Sequence, residues 1–171
     1  MKKEEFHLRA LEQSDLDFLF NLENDVRLWK VSNTLLPFSR KTLSSYINNA
    51  HEDIFSIKQQ RFVLSDSQQN PLGLIDLYDF DPVHHRAGVG IVIHSDFRGN
   101  GLAKKGLELL EKIAFNNLQL HQLFACVGSD NASSLQLFEK LGYVMTGVKK
   151  EWNFYDHKFH DEILFQKINH V

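Results

Sequence analysis

The 171-residue chain has one cysteine, three prolines and no apolar run approaching the roughly 18 residues that a membrane-spanning helix needs. A single cysteine excludes an internal disulfide and fits a reducing compartment. The first ten residues, MKKEEFHLRA, lack the apolar stretch of a signal peptide. These absences predict a cytoplasmic protein that has no membrane partner.

An excess of basic charge is also missing from the sequence. Lys and Arg total 19 against 22 Asp and Glu, so the formal net charge is −3. No broad basic surface is available to neutralise phosphates, and we therefore expect no nucleic-acid partner. There is no internal repeat or linker, and an apolar content of 43% suffices for one core. We predict a single domain over residues 1–171.

Hydrophobic periodicity predicts alternating strands and helices along the chain. Capping residues mark three helix starts, at Ser14 or Asp15, at Ser39, and at Asn131 or Asp130, and Gly142 marks a helix end. A long amphipathic helix is expected from Leu102 to Phe115. The predicted strands are FHLRAL, QRFVLSD, PLGLIDLYDF, AGVGIVI, HQLFACV, YVMTGVKKEW and KFHDEILFQKI. The order predicts an α/β (α+β) fold, with a mixed, mainly antiparallel sheet of about seven strands flanked by about four helices.

Two glycines, Gly99 and Gly101, separate the apolar run VGIVI from the helix that begins at Leu102. A strand that enters such a turn and then a helix directs unpaired backbone N–H groups at one place, where the helix dipole favours negative charge. Without Cβ atoms, the backbone can come within hydrogen-bond distance of a phosphate. The pattern predicts an anion site, and an ordinary strand-to-helix turn is the alternative. It matches neither a Walker A loop nor the dinucleotide fingerprint.

The stretch IVIHSDFRGNGLAKKGLELL, followed by NASSLQLFEKLGY, resembles the Gcn5-related N-acetyltransferase (GNAT) family. Its ribosomal-protein and spermidine acetyltransferase branch is the most similar. The resemblance covers nearly the whole chain, including LRALEQSDLDFLFNLEND near the start. It implies the GNAT fold, in which two splayed strands bind acyl-CoA. It also implies acetyl-CoA as cosubstrate, with no metal.

The resemblance further implies which residues hold acetyl-CoA. In the family, the glycine turn cradles the pyrophosphate, and the preceding strand pairs its backbone with the pantetheine arm and carries a bulge. Asn131 matches the position that binds the arm near the sulfur. The matching residues of the strand and the turn are Ile91, Val92, Ile93, Arg98, Gly99, Asn100, Gly101, Leu102, Ala103 and Lys104.

The implied reaction is direct attack by a neutral amine on the thioester, with a backbone N–H stabilising the tetrahedral intermediate. No covalent enzyme forms, so Cys126 need not react and is expected to be a small buried residue. The leaving thiolate must gain a proton. Spermidine enzymes place a tyrosine donor where this chain has Phe138. Ser134 and Tyr143 are the candidate donors here. A capping or packing role is the alternative for Ser134, and core packing for Tyr143.

The amine must also lose a proton, and the base is less clearly marked. Many relatives carry a glutamate where this chain has Gly88. Asp76 and Asp79, on or just after the strand PLGLIDLYDF, are candidates to bind an ammonium group or relay its proton; a solvated strand edge is the alternative. Trp29 lies in the segment that lines the acceptor site in the family, although core packing would also explain it.

The sequence thus predicts an enzyme that moves an acetyl group from acetyl-CoA to a primary amine. Protein α-amino groups and small polyamines are the two candidate acceptors. The segment VSNTLLPFSR is nearly neutral where an acidic cluster would hold a polycation. The alternative is a catalytically idle acyl-CoA-binding sensor or assembly module of the same fold, suggested by the missing tyrosine and glutamate. The sequence leaves a homo-oligomer open as a further partner.

Overall fold

The computed structural model describes residues 5–50 and 52–170. The strands in these ranges form one sheet of seven, in the order β1-β2-β3-β4-β5-β7-β6. Their bounds are β1 His7–Ala10, β2 Gln60–Ser65, β3 Pro71–Asp81, β4 Arg86–Ile93, β5 Gln122–Gly128, β6 Val144–Tyr155 and β7 Lys158–Ile168. Neighbouring strands are antiparallel except β4 and β5, which run parallel. The predicted mixed, mainly antiparallel sheet is confirmed.

Six α-helices lie in the described ranges: α1 Leu16–Glu23, α2 Trp29–Ser32, α3 Arg40–Asn49, α4 Ile54–Ile57, α5 Leu102–Lys112 and α6 Ala132–Lys140. The four longer ones are the predicted helices. The single-turn helices α2 and α4 are too short to show a helical period in sequence. Helix α5 passes into a π-helical turn, so the expected α-helical end at Phe115 falls inside that turn. None of the described helices is long and apolar enough to span a bilayer.

Two of the three predicted helix starts have the expected cap; at α1, Asp15 makes no side-chain cap, because its carboxylate accepts from the Glu12 N–H before the helix. The Ser39 hydroxyl accepts a hydrogen bond from the Thr42 N–H at 3.0 Å, which caps α3. The Asn131 side chain accepts one from the Ser134 N–H at 3.2 Å, which caps α6. Each cap satisfies an N–H that has no partner within its own helix.

The sheet has a hydrophobic core on each face. Helices α5 and α6 cover one face, where Leu107, Leu110 and Phe165 are buried together with residues of the central strands. Helices α1 and α3 cover part of the other face, where Leu19 and Ile47 are buried against β2 and β3. Part of the second face over β4, β5 and β7 is left open, and the cleft described below lies there.

The expected bulge is on the neighbouring strand rather than in β4, so that prediction was wrong. Tyr78 pairs with Gly88 and Asp81 with Arg86, so β3 has two residues where β4 has one. Asp79, one of the two, has φ of 49°, a left-handed conformation that Asp adopts more readily than most residues. Residues 88–93 of β4 pair with β3 in regular register. Gly88 of β4 therefore serves another purpose, which the site explains.

A buried ion pair joins α5 to the end of the sheet. The Lys167 ammonium donates to a Glu111 carboxylate oxygen at 2.7 Å and to the Leu141 carbonyl at 2.7 Å. Glu111 is 9% exposed, so its charge depends on this partner. Burial, with Glu111 beside it, raises the pKa of the neighbouring Tyr143.

We expect Lys167→Met to lower the free energy of unfolding by about 3–5 kcal/mol, because it leaves the buried Glu111 charge uncompensated. Adding Glu111→Leu should recover most of that loss, since the second change removes the stranded carboxylate. Urea unfolding followed by circular dichroism measures both. A double variant no more stable than the single one would contradict this role for the pair.

Candidate active site

The parallel pair β4–β5 separates after three residues. Its ladder joins Arg86–Gly88 to Gln122–Phe124, although β4 continues to Ile93 and β5 to Gly128. A cleft of about 600 Å³ opens between the two strands. Its walls there are Val89, Gly90 and Ile91 of β4 and Cys126, Val127 and Gly128 of β5. The main-chain groups of these strands are thus available to a ligand lying between them.

The glycine turn lies beyond the end of β4 and has the geometry of an anion cradle. Gly99 has φ of 81° and Gly101 of 72°, and a Cβ atom built at either would meet nothing within 4 Å. Arg98 donates from Nε to the Ile93 carbonyl at 2.9 Å, which ties the turn to the strand. Helix α5 starts at Leu102, so its first N–H groups have no intrahelical partner. The open space and the free N–H groups fit a phosphate group.

Of the residues of β4 and α6 that are expected to contact acetyl-CoA, some line the cleft and others have their side chains in the core. Ile91 and Asn131 line the cleft, whereas the side chains of Val92 and Ile93 pack into the two cores. The Asn131 side-chain oxygen accepts from the Ser134 N–H and the Ser133 hydroxyl. A role for Val92 and Ile93 therefore depends on their backbone, and binding of acetyl-CoA by these residues stays a prediction.

The two candidate proton donors lie in different places. Ser134 lines the cleft from the first turn of α6, near the buried ring of Phe138. Tyr143 is 3% exposed and packs edge-on against Phe138 in the core, with ring centroids 5.0 Å apart. Its hydroxyl does not line the cleft. The structure does not bring Tyr143 to the cleft, because the ring fills the space between α6 and the sheet.

Asp76 lines the cleft within a network of charged groups. Arg61 binds both its carboxylate oxygens, at 2.7 and 3.0 Å, and also contacts Glu23 at 2.6 Å. Burial opposes the charge of Arg61, but the carboxylate of Asp76 outweighs it and raises the Arg61 pKa. Asp79 is not part of this network: it is exposed at the bulge and faces a second cavity of about 810 Å³. Asp76 and Asp79 therefore do not act together.

Trp29 does not line the cleft, although the residues after it do. Its indole N–H donates to the Glu23 carbonyl at 3.0 Å, and the ring is half-buried. The next four residues, Lys30 to Asn33, form part of the cleft wall. The segment therefore borders the cleft without Trp29, and its role in binding the acceptor stays a prediction.

Sequence reasoning missed a polar cluster on the floor of the cleft. Cys126 is half-buried there, and its sulfur is 3.8 Å from the Lys149 ammonium. Glu162 accepts from Lys149 at 2.9 Å and from the Asn153 amide at 3.2 Å. Burial raises the pKa of the Cys126 thiol, and the charge of Glu162 raises it further. The thiol is therefore protonated at neutral pH, unlike an activated nucleophile.

Tyr78 was also missed, and it accounts for Gly88. A Cβ atom at Gly88 would lie 2.3 Å from Cε2 and 2.4 Å from Cζ of the Tyr78 ring. The ring thus occupies the space over residue 88 and reaches the cleft. Strand alternation was the available signal, because Asp76 and Tyr78 are two residues apart and share a face.

The outer wall of the cleft carries a third paired carboxylate. Asp130 accepts from the Tyr155 hydroxyl at 2.6 Å and lies 3.6 Å from the Lys30 ammonium. The hydrogen bond from Tyr155 lowers the pKa of Asp130. Among residues 5–50 and 52–170, no three His, Cys, Asp or Glu side chains form a group that could hold a metal ion.

Comparison with known proteins identifies the architecture. Residues 5–144 match the family model described as acetyltransferase (GNAT) domain. Spermidine N(1)-acetyltransferase of Vibrio cholerae serotype O1 is 29% identical over 157 residues, covering 90% of this chain and 87% of the relative. The Escherichia coli K12 enzyme of the same name is 29% identical over 143 residues, covering 82% and 73%.

A solved structure agrees with these sequence matches. The crystal structure of spermidine N-acetyltransferase from Vibrio cholerae in complex with CoA and spermine has a TM-score of 0.87 and 28% identity, and covers 95% of each chain. The chain therefore belongs to the GNAT family. It is an acetyl-CoA-dependent N-acetyltransferase of the spermidine acetyltransferase-like branch, as the sequence predicted.

We expect Gly101→Val to abolish the rise in melting temperature that acetyl-CoA produces. A ligand at 100 times its dissociation constant stabilises a protein by about 2.7 kcal/mol, which is readily seen as a thermal shift. The valine would disfavour the positive φ and place methyl groups where phosphate oxygens approach.

Gly142→Val is the matched control, because Gly142 has φ of 83° and equally open surroundings but lies after α6. It should carry a similar backbone strain and keep the shift. A shift that survives Gly101→Val would place the phosphate site elsewhere.

Proposed function

We propose that the acceptor is a primary amine with a single positive charge, such as the α-amino group of a peptide or protein. One observation carries the proposal: each carboxylate that lines the cleft has a cationic partner. The pairs are Asp76 with Arg61, Asp130 with Lys30, and Glu162 with Lys149. A linear polyamine carries several charges, and each favours a carboxylate whose charge is not already balanced.

Small polyamines are the second candidate, and the names of the relatives favour them. The Vibrio cholerae and Escherichia coli proteins are spermidine N(1)-acetyltransferases, and the similar crystal structure contains spermine. The two candidates differ in charge rather than in the reacting group. The charge of the cleft therefore determines which one is preferred.

In the proposed reaction, the amine approaches β4 beside Asp76, whose carboxylate is held in place by Arg61. This carboxylate lies over Gly90, with Oδ2 3.9 Å from where a Cβ of Gly90 would stand. Once the ammonium group has lost a proton to water, the free amine attacks the thioester carbonyl directly. Acetyl-CoA supplies the activated acetyl group. The cleft between β4 and β5 fixes the approach of the two reactants, and this positioning is a major source of rate enhancement.

An acceptor panel monitored by release of free thiol tests the proposal. We expect kcat/KM for a peptide with a free N-terminus to exceed that for spermidine by about tenfold or more, which corresponds to about 1.4 kcal/mol. A preference for spermidine would contradict the peptide acceptor. The idle-sensor alternative predicts binding of acetyl-CoA with no thiol release for any amine. The expected cytoplasmic location stays a prediction.

Removing one balancing charge should shift the preference towards polyamines. Lys30→Met frees the Asp130 carboxylate, so we expect kcat/KM for spermidine to rise about two- to fivefold, the range of an exposed ion pair. Lys140→Met, on the exposed side of α6, is the control and should change nothing. An equal rise for the peptide and for spermidine would show that charge balance does not select the acceptor.

Cys126→Ala should leave turnover within a few-fold of the wild type, because direct transfer needs no thiol nucleophile. The buried, protonated thiol supports this expectation. Steady-state kinetics measure it. An acetylated Cys126 found by mass spectrometry after incubation with acetyl-CoA would point instead to a covalent route.

A further inference from the structure

The departing sulfur of CoA must gain a proton, and the cleft offers few hydroxyl groups. Among its described lining residues, the hydroxyl carriers are Ser32, Tyr46, Tyr78, Ser134 and Tyr155. Tyr155 donates to Asp130, and Ser32 bonds within the α2 segment. The Tyr46 ring packs against Arg61. Tyr78 and Ser134 remain, and of these Tyr78 lies over the last residue pair that joins β4 to β5.

We propose that Tyr78 is a catalytic residue, whose phenol donates its proton to the CoA sulfur. The carbon–sulfur bond breaks, its electron pair stays on sulfur, and the phenolic proton forms the S–H bond. The proton that the amine nitrogen loses returns to the phenolate through water in the cleft. Atoms and charge then balance with no other reactant. The proposal rests on acetyl transfer itself, whichever amine is the acceptor.

The position of the ring supports this role. Tyr78 pairs with Gly88, and Gly88 belongs to the last pair that joins β4 to β5. The other member of that pair, Phe124, holds the Tyr78 ring edge-to-face, with centroids 5.6 Å apart. The ring is therefore fixed at the vertex where the strands diverge and where a ligand between them must pass.

Gly88 is required for this placement. Any side chain there would overlap the ring carbon Cζ, which carries the hydroxyl. A Cβ at Gly90 would lie 4.0 Å from Cε1 of the same ring, which is an ordinary contact, so only Gly88 is required for the ring. Gly88 thus makes room for a phenol from β3, which explains why this strand contains a residue that weakens strands in general.

The surroundings keep the phenol protonated until it is used. Burial raises the pKa of Tyr78, and the neighbouring Cys126 raises it further. The groups facing it from the adjacent strands are Cys126 of β5 and, beyond it, Glu162 of β7 with Lys149 of β6. An alkyl hydroxyl such as Ser134 is a weaker acid than a phenol, so Tyr78 is the better proton donor of the two.

The first test compares three variants that each lack one hydroxyl group. The kinetics of thiol release are measured with any amine that the enzyme acetylates, or with water as the acceptor. We expect Tyr78→Phe to lower kcat by about 10²- to 10⁴-fold, as for loss of a general acid, with affinity for acetyl-CoA within about threefold. Tyr143→Phe, the same change in the core, should keep kcat. Ser134→Ala should cost less than about tenfold.

Near-normal kcat for Tyr78→Phe, when chemistry limits the rate, would overturn the proposal, and a larger loss for Ser134→Ala would move the role to the serine. Gly88→Ala should displace the ring and lower kcat in a similar way. If that variant folds, combining it with Tyr78→Phe should bring no further loss. Additive losses would contradict a shared mechanism.

An equilibrium measurement separates catalysis from packing. Calorimetry with CoA and with an analogue lacking the sulfur reports whether the phenol contacts that atom. We expect wild type to prefer CoA by about three- to tenfold, the range of one hydrogen bond, and Tyr78→Phe to lose that preference. A ring that only packs would leave the preference unchanged and would refute the contact. This readout does not depend on the acceptor, so it stands apart from the proposed peptide specificity.

Discussion

The early end of the β4–β5 ladder is the feature on which the site depends. Parallel strands normally satisfy each other's main-chain groups along their length. Here pairing stops at Gly88 and Phe124, and the strands beyond it enclose the cleft. The regular β3–β4 ladder keeps β4 in place despite this loss, and β7 does the same for β5. Each splayed strand is thus supported on its outer edge, so the gap can stay open for acetyl-CoA without loosening the sheet.

Charge compensation is the second organising constraint. The carboxylates of the cleft each face a cation from a different strand or helix, as Asp76 of β3 does with Arg61 of β2. Half-buried charges are tolerated only when they are paired, so these contacts fix side chains as well as balance the cleft. Pairing also lowers the negative charge that would attract a polycation, although Arg61 is shared between Asp76 and Glu23. The same ion pairs therefore hold the side chains of the cleft in place and support the proposal of a peptide amine as acceptor.

Much of this architecture was predictable from the sequence. Strands and the longer helices have clear periods, and the caps at Ser39 and Asn131 mark local chemistry. The glycine turn was recognisable because two glycines stand between a strand and a helix. The structure explains them, since Gly101 has a positive φ that other residues rarely adopt. Cross-strand neighbours could not be assigned, since they depend on register. The bulge at Asp79 arises from that register, whereas core packing of Tyr143 was one of the two roles that the sequence allowed. The single-domain organisation over the full chain stays a prediction.

The strand register also explains how this chain can lack two family residues and still place polar side chains in the cleft. Its sequence lacks the glutamate expected at Gly88 and the tyrosine expected at Phe138. Yet two neighbouring antiparallel strands place side chains from both strands over the same point, so a group lost from β4 can be replaced from β3. Tyr78 and Asp76 lie over Gly88 and Gly90 in this way. The large Tyr78 side chain of β3 fits only because its partner on β4, Gly88, has no side chain. A missing family residue is therefore weak evidence for an idle protein when the partner strand carries a group of matching chemistry.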